Sequence, residues 1–258
     1  MNKRYSAKFF RDTMPDWKKK KDPLIAQVFY RPISFYLSSF CANRGISANS
    51  VSYFSMYVAI LSCVCYFLHD HTCHIIGAFM VNIWLLLDCV DGNIARSVKS
   101  QPFGEFADAA SSYLLISFIY ISIGYAIYEE GGFFVSKGNV FILLLATFAT
   151  VSDSFMRLLF HKYNAELSRV KGIYPKVEGS NLLNHTKSGE VPSFRERIGE
   201  ALGIGGFLPV FILLFTFFRM ADLIIYFVFL YNVLKSSIVV AFTISGAIRQ
   251  TKLIEKNS

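Results

Sequence analysis

Long apolar runs separated by short polar stretches dominate the chain from residue 48 onwards. A helix that crosses a bilayer needs about 20 predominantly apolar residues, and six runs approach or exceed that length. The backbone of such a run must satisfy its own hydrogen bonds in lipid, so each run is predicted to be helical. The fifth run is short and rich in glycine. The predicted spans are residues 48–68, 74–96, 104–128, 139–160, 203–218 and 222–247.

The composition supports a membrane protein. Hydrophobic residues make up 53% of the chain and charged residues 17%, whereas soluble domains have about 25% charged residues. The five cysteines are odd in number and lie mostly in or beside apolar runs, so no disulfide framework is predicted. Residues 1–23 contain no apolar run, and no cleavable signal peptide is predicted. These features predict an all-α polytopic membrane protein and exclude a soluble enzyme, a secreted mini-protein and a disordered chain.

Positive charge is distributed unevenly about the predicted spans. With the N-terminus in the cytoplasm, 22 of the 26 Lys and Arg residues fall on the cytoplasmic side, and only Lys137 and Arg219 fall on the other side. Arg157 and Lys235 fall within spans. The positive-inside rule therefore predicts that both termini are cytoplasmic. It also accounts for the net charge of +8 without a nucleic-acid partner.

The segment before the first span is apolar but is interrupted by Arg31 and Pro32. Residues 24–40 are predicted to form a helix in the membrane interface, preceded by a lysine run that would lie near anionic headgroups. A plain positive-inside anchor is an equally good interpretation. The predicted organisation is a basic segment with the interfacial helix (1–47), a six-helix membrane domain (48–250) with a cytoplasmic loop (161–202), and a cytoplasmic tail (251–258).

Acidic residues cluster where the second predicted span ends and the third begins. Asp88 and Asp91 are three residues apart and share a helix face, and Glu105 and Asp108 repeat that spacing. Each such group at membrane depth costs about 2.5–3.5 kcal/mol on insertion scales, and the carboxylates would repel one another. Divalent cations would balance this charge, and two adjacent ions suit the displacement of a phosphate ester. The alternative is that each acidic residue simply lies at a helix end and reaches the membrane surface. This would explain any one of these residues, but not why they occur together.

Two glycines and a cation accompany the acids. Gly92 and Gly104 lack a Cβ where a backbone or a phosphate would have to come close. Arg96 lies two turns beyond Asp88 on the same helix face, where it could face a phosphate. These residues favour a phosphoryl-transfer site over a cation transporter, because transport gives no reason for the glycines and the arginine.

The order and spacing of these residues resemble the signature of the CDP-alcohol phosphotransferase family, and the six-span layout extends the resemblance over residues 24–250. The segments Arg31–Ser34 and Gly45–Ser52 resemble the family's approach into its first span. The motif is Asp88-x2-Asp91-Gly92-x2-Ala95-Arg96-x7-Gly104-x3-Asp108. The resemblance implies that Asp88, Asp91 and Asp108 ligate two divalent ions, Mg²⁺ or Mn²⁺. It also implies that the CDP moiety is held by Asp91, Gly92, Ala95, Arg96, Gly104 and Asp108.

The resemblance further implies a transferase of phospholipid biosynthesis that is usually a homodimer. An acceptor hydroxyl would attack the β-phosphorus of a CDP-alcohol, and CMP would leave. The acceptor could be a lipid or a soluble polyol or sugar phosphate. Arg157 and Lys235 are candidate contacts to an acceptor phosphate, although a structural ion pair or snorkelling to the membrane surface explains each equally well.

The chain departs from the family pattern at the expected general base. The family has an aspartate four residues after the third motif aspartate, but this chain has Ser112, and a serine hydroxyl is not a base near neutral pH. Glu105 and Asp153 are the candidate replacements, although Asp153 could instead only pair with Arg157. An acceptor that needs no protein base is a third possibility. The alternative to an active transferase is a pseudoenzyme or partner subunit that retains CDP and metal binding.

Overall fold

The computed structural model describes residues 4–173 and 201–257, and within these ranges the chain is helical without β-strands. Five described helices are long and apolar enough to cross a membrane, which makes the chain a multi-pass membrane protein. The helices are α1 (Ala7–Asp12), α2 (Asp16–Lys21), α3 (Arg31–Asn43), α4 (Ala48–Phe67), α5 (His71–Ser97), α6 (Gly104–Glu130), α7 (Val140–Ile173), α8 (Leu208–Phe217) and α9 (Ala221–Asn257), with a π-helical turn at Ala26–Tyr30 leading into α3.

Helices α4, α5 and α6 lie within a few residues of the first three predicted spans. Helices α7 and α9 are longer than predicted, because the polar residues after each apolar run are themselves good helix formers. Residues 161–173 of the predicted cytoplasmic loop are therefore helical. The rest of that loop, residues 174–200, lies outside the described residues.

The fifth predicted span contains only the ten-residue helix α8. Ten residues extend about 15 Å, roughly half of the hydrocarbon core. The Asn82 side chain donates to the carbonyl of Pro209 in the first turn of α8 (2.9 Å), and Tyr66 shares a hydrogen bond with Thr216 near its end (2.8 Å). Helix α8 thus runs from the middle of α5 to the end of α4. The fifth predicted span is therefore not confirmed as a full-length crossing, and five rather than six long apolar helices are described. The glycines at 203, 205 and 206 explain the short helix, because glycine disfavours continued helix.

Small side chains allow α4 to pack closely against α5. A Cβ on Gly77 would lie 2.8 Å from the backbone oxygen of Ser62, while the Ser62 hydroxyl donates to the carbonyl of Gly77 (2.9 Å). Ala59 and Ala78 are completely buried in the same interface region. The ends of these helices are therefore held at fixed positions on both sides of the bundle.

A polar core joins α6 to the α4–α5 pair. The hydroxyl of Ser111 lies 2.5 Å from that of Ser55 and accepts a hydrogen bond from the Trp84 indole (2.9 Å). On its other side α6 packs against α7, where Gly124 faces Ala146. Many large hydrophobic side chains of the described helices are exposed, as expected for surfaces that face lipid.

Helix α3 packs on α5 with its polar side. Ser34 and Ser38 are completely buried there, and the Asn93 side chain donates to both hydroxyls. Its opposite side exposes apolar residues, which are Ile33, Tyr36, Leu37 and Phe40. This is the reverse of a soluble surface helix and matches the apolar character on which the interfacial prediction rests.

We predict that Gly77→Ala lowers the free energy of unfolding by about 1–3 kcal/mol, because the new methyl group must displace the α4 backbone. Thermal or denaturant unfolding of the detergent-solubilised protein measures this. Gly172→Ala is the matched control, since its Cβ meets nothing within 4 Å and alanine favours helix. Equal stability of Gly77→Ala and the wild type would contradict the close α4–α5 approach.

Candidate active site

A cleft of about 440 Å³ opens between the start of α4, the end of α5 and the start of α6. The helix directions explain which residues line it, because the C-terminal turns of α5 lie at the end of the bundle where α4 and α6 begin. Its lining residues are Ala48, Asn49, Ser52, Asp91, Gly92, Ala95, Arg96, Ser100, Gln101, Phe103, Gly104, Glu105 and Asp108. All six residues predicted to hold the CDP moiety therefore line one cleft.

The three predicted metal ligands meet at this cleft, whose lining also includes the cation Arg96. Asp91 is buried and accepts a hydrogen bond from the Ser52 hydroxyl (2.5 Å). Asp88 is half-buried and is not among the cleft-lining residues, but its carboxyl group lies within hydrogen-bonding reach of that of Asp108. Among the described residues, none of the three carboxylates lies within salt-bridge distance of a lysine or arginine. Their mutual repulsion fits a site for divalent cations, whose preferred ligands are carboxylate oxygens.

The two motif glycines have different surroundings. A Cβ on Gly92 would lie 2.8 Å from the Arg96 guanidinium, so this glycine lets the arginine fold back over α5. A Cβ on Gly104 would lie 3.4 Å from Asn49 Oδ1, which is an ordinary van der Waals distance. Both neighbours are side chains, so the predicted approach of a backbone or a phosphate to these glycines stays a prediction.

Asn49 connects α4 to the segment between α5 and α6. Its side-chain amide donates to the carbonyl of Pro102 (2.9 Å), and its backbone N–H donates to the Gln101 side chain (3.3 Å). Its Oδ1 atom is buried and has no hydrogen-bond partner among the described residues. Asn49 thus offers a free acceptor at the wall of the cleft to a ligand hydroxyl or amino group.

A buried ion-pair network anchors the N-terminal segment behind the motif. Arg31 is 5% exposed and donates to both oxygens of Asp22 (2.6 and 3.2 Å) and to Asn93 Oδ1 (2.9 Å). Lys18 pairs with the same Asp22 (2.9 Å). Burial acts to raise the pKa of Asp22, but the hydrogen bond and charge of Arg31, together with Lys18, outweigh it and hold that pKa below its usual range.

Two of the three residues considered at the base position lie near the third aspartate. Glu105 is exposed and lines the cleft one turn before Asp108. Ser112 donates its hydroxyl to the carbonyls of Asp108 (3.3 Å) and Ala109 (3.1 Å) in its own helix. The serine is therefore satisfied by its own backbone, and Glu105 is the better placed of the two.

Asp153 belongs to a neighbouring polar cluster, which is not part of the cleft lining among the described residues. It is 5% exposed, and its Oδ1 lies 3.3 Å from Arg157 Nε, which is the pairing that the competing interpretation of the sequence expected. Arg157 lies 5.9 Å from the ring centre of Tyr113. Tyr113 thus adjoins this cluster through Arg157, and it lies five residues beyond Asp108 in α6.

Lys235 extends the same polar cluster from α9. Its Nζ atom lies 5.5 Å from the ring centre of Tyr231. The next residue, Asn232, donates to the carbonyl of Ala149 (3.3 Å), one turn before Asp153 in α7. The two candidate acceptor-phosphate contacts, Arg157 and Lys235, therefore lie on two helices that pack together. Arg195 and Arg197 of the predicted cytoplasmic loop could also contact a phosphate, although the positive-inside bias alone explains them; both lie outside the described residues.

Sequence reasoning gave no role to Ser52, Asn93 or Asp22. Ser52 and Asn93 lie inside the stretches that carry the family resemblance, but their partners are 39 and 62 residues away along the chain. A polar residue within an otherwise apolar helix was the available signal, and Asn93 in α5 shows it most clearly.

Comparison with known proteins gives one family. Residues 46–173 match a family model described as CDP-alcohol phosphatidyltransferase. The matched range contains the cleft, its three aspartates and the cluster around Asp153. No curated protein matches the chain at a significant level.

We predict that Arg31→Met lowers the free energy of unfolding by about 3–5 kcal/mol, because it leaves the buried Asp22 without its main partner. Unfolding of the solubilised protein measures this loss. Since the pKa of Asp22 is lowered in the folded state, the contribution is complete above the usual value of about 4 and is lost as the pH falls through the folded pKa.

The matched control is Lys18→Met, because Lys18 is more exposed than Arg31 and the Arg31 contacts remain. The expected loss is about 1 kcal/mol or less. A loss in Lys18→Met as large as that in Arg31→Met would contradict the assignment of Arg31 as the anchor.

Proposed function

We propose that the chain is a membrane-bound transferase that moves a substituted phosphate group from a CDP-alcohol to an acceptor hydroxyl, because residues 46–173 match the CDP-alcohol phosphatidyltransferase family model. The observation that carries the proposal is the cleft in which the predicted CDP contacts and two of the three predicted metal ligands lie together. The third ligand, Asp88, contacts the cleft residue Asp108.

Asp88, Asp91 and Asp108 would hold two divalent ions, Mg²⁺ or Mn²⁺. When bound, the ions supply charge neutralisation at the diphosphate and stabilise the departing phosphate oxygen of CMP. The Ser52 hydroxyl orients the Asp91 carboxylate through its hydrogen bond. Gly92 gives Arg96 room to lie over the end of α5, where its guanidinium can donate to the diphosphate.

The reaction exchanges one phosphorus–oxygen bond for another. The acceptor oxygen bonds to the β-phosphorus, the bond from that phosphorus to the bridging oxygen breaks, and CMP leaves with the electron pair. The proton of the acceptor hydroxyl passes to a base. Glu105 at the cleft wall and Asp153 beyond Tyr113 are the two candidates.

The polar cluster beyond Tyr113 supports an acceptor site in that region. Arg157 and Lys235 bring two positive charges to a place that is otherwise surrounded by apolar helices. A phosphate on a lipid or soluble acceptor would find its partners there. The proposal therefore assigns the donor to the cleft and the acceptor to the α6–α7–α9 side.

The charge distribution supports a topology with both termini and the cleft on the cytoplasmic side. Five long helices alone would place the termini on opposite sides. We therefore assign the sixth crossing to α8 together with the turns at 201–207, which contact the apolar core through Ile204. The exposed apolar side of α3 would lie in the interface, and the family resemblance implies a homodimer.

The second candidate is a pseudoenzyme or partner subunit that binds CDP and metal without transfer. Two observations favour this candidate. Ser112 stands at the position of the family's base, and Asp153 is already paired with Arg157. The two candidates differ in whether purified protein releases CMP from a panel of CDP-alcohols with acceptors.

We predict that CMP release requires Mg²⁺ or Mn²⁺ and stops in EDTA. Asp88→Asn and Asp108→Asn should abolish it while the protein still inserts and purifies, because each change removes charge from a repulsive cluster rather than from the packed core. The control is Asp70→Asn, an exposed N-cap residue at the far end of α5, which should leave CMP release unchanged. Turnover in chelated protein, or wild-type rates in either aspartate variant, would refute the assignment.

A second prediction identifies the base. If Asp153 or Glu105 takes the proton, then Asp153→Asn or Glu105→Gln should lower kcat by about 10²–10⁴-fold. Binding of the CDP-alcohol should change little, because the base contacts the acceptor and not the nucleotide. Measured kcat and nucleotide Kd separate the two effects.

Ser112→Asp is the reciprocal variant. In a pseudoenzyme that has lost only this group, it should create CMP release, whereas in an enzyme adapted to serine it should lower the rate. Rates that none of the three substitutions changes would mean that no side chain at these positions accepts the proton.

A further inference from the structure

The end of the bundle opposite the aspartates carries a cluster of histidines. Three of the five histidines in the chain lie within residues 69–74. The ligand atoms of His71, His74 and Glu130 all lie within 4.8 Å of one another. The seventeen residues from His74 to Asp91 place this group about 26 Å along α5 from the cleft, so it is a separate site.

The hydrogen bonds of His74 identify which ring nitrogen is available. Its Nε2–H donates to the carbonyl of Leu68 (2.7 Å), so in the neutral ring Nδ1 carries the lone pair. That nitrogen faces Glu130 Oε2 at 3.7 Å. A lone pair and a carboxylate repel each other unless a proton on the ring nitrogen or a metal cation lies between them. Donation of the other ring nitrogen to a backbone carbonyl is the arrangement that orients metal-binding histidines.

The packing around His74 holds this orientation before any ligand binds. The ring is 4% exposed and stacks on Tyr66 at 5.5 Å between ring centres. His71 lies one turn earlier in α5, and Glu130 ends α6, where a nearby cation would also satisfy the negative end of the helix. Two adjacent helices thus supply the three ligands.

A cavity of about 130 Å³ adjoins these ligands. It has room for an ion and its water, since a water molecule occupies about 30 Å³. Arg219 is the opposing positive charge in the cavity lining. Acidic groups offset it. Glu129 lies beside the cluster and pairs with His69 (3.5 Å). Asp222 is completely buried next to the lining residue Gly132. Its Oδ1 atom has no hydrogen-bond partner among the described residues.

We propose that His71, His74 and Glu130 bind one Zn²⁺ ion that ties the start of α5 to the end of α6. Two imidazoles and one carboxylate form a ligand set that zinc accepts with tetrahedral geometry, leaving the fourth position to water. Mg²⁺ does not suit this set, because it prefers oxygen ligands. With the cleft in the cytoplasm, the zinc site faces the opposite side of the membrane.

The experiment uses the purified, detergent-solubilised full chain in saturating Mg²⁺, which occupies the carboxylate site. Zn²⁺ is titrated against a chromophoric chelator. The wild type should retain one equivalent of Zn²⁺, and zinc should raise its thermal midpoint. His71→Ala and Glu130→Gln should weaken zinc binding by more than about 100-fold, since loss of a direct ligand exceeds the 10–100-fold effect of outer-shell changes.

The matched control is His69→Ala, which removes a neighbouring histidine that pairs with Glu129 instead and should leave zinc affinity unchanged. Asp88→Asn should also retain one equivalent of Zn²⁺, which would distinguish this site from the aspartate cluster. His71→Ala should release CMP at the wild-type rate, so the zinc site and the transferase proposal fail independently. Failure of the wild type to retain zinc, or retention of wild-type affinity in His71→Ala, would overturn the proposal and leave His74 and Glu130 as a simple ion pair.

Discussion

The close approach of α4 and α5 at Gly77 and Ser62 is the contact on which the rest of the structure depends. A glycine and a serine in van der Waals contact let the two helices share a hydrogen bond across their axes. Helix α6 then packs on α4 through Ser55 and Ser111. Because the three helices alternate in direction, this packing places the aspartates at one end of the bundle and the histidine cluster at the other. One close contact therefore serves two chemically different sites.

Charge separation at the cleft is the second constraint. Arg31 is the most buried cation near the motif, yet it is committed to Asp22 and Asn93 rather than to the motif aspartates. Its role is to hold α3 and the N-terminal segment against the back of α5. In the proposed metal site, the aspartates would thereby be left for divalent cations. A direct salt bridge between Arg31 and the motif aspartates would compete with those cations for the same carboxylates.

The features that could be predicted from the sequence are local ones. Hydropathy finds α4 to α6 because bilayer thickness fixes their length, and the motif is legible because its residues lie within 21 positions. Helices α7 and α9 extend beyond the predicted spans because helix propensity continues past the apolar run. Helix α8 is shorter than the fifth predicted span because the glycines before it disfavour helix, and hydropathy does not measure helix propensity. Ser52, Asn93 and Asp22 were missed because their partners are brought close only by tertiary packing, and His71 and His74 because Glu130 lies 56 residues beyond His74.

The position of Asp153 supports one way in which the proposed transferase would compensate for the absent motif aspartate. In the structure its carboxylate is engaged by Arg157, which lies 5.9 Å from the ring centre of Tyr113. An acceptor phosphate in this region competes with Asp153 for the same guanidinium, because phosphate forms stronger charge-assisted hydrogen bonds with arginine than a single contact at 3.3 Å provides. A phosphorylated acceptor that drew Arg157 away would leave Asp153 free to accept the proton of its hydroxyl. An acceptor without a phosphate would leave the pair intact. In the proposed transferase, the Asp153–Arg157 contact would therefore link the choice of acceptor to the availability of Asp153 as the base. Glu105 lines the open cleft and would have no such link.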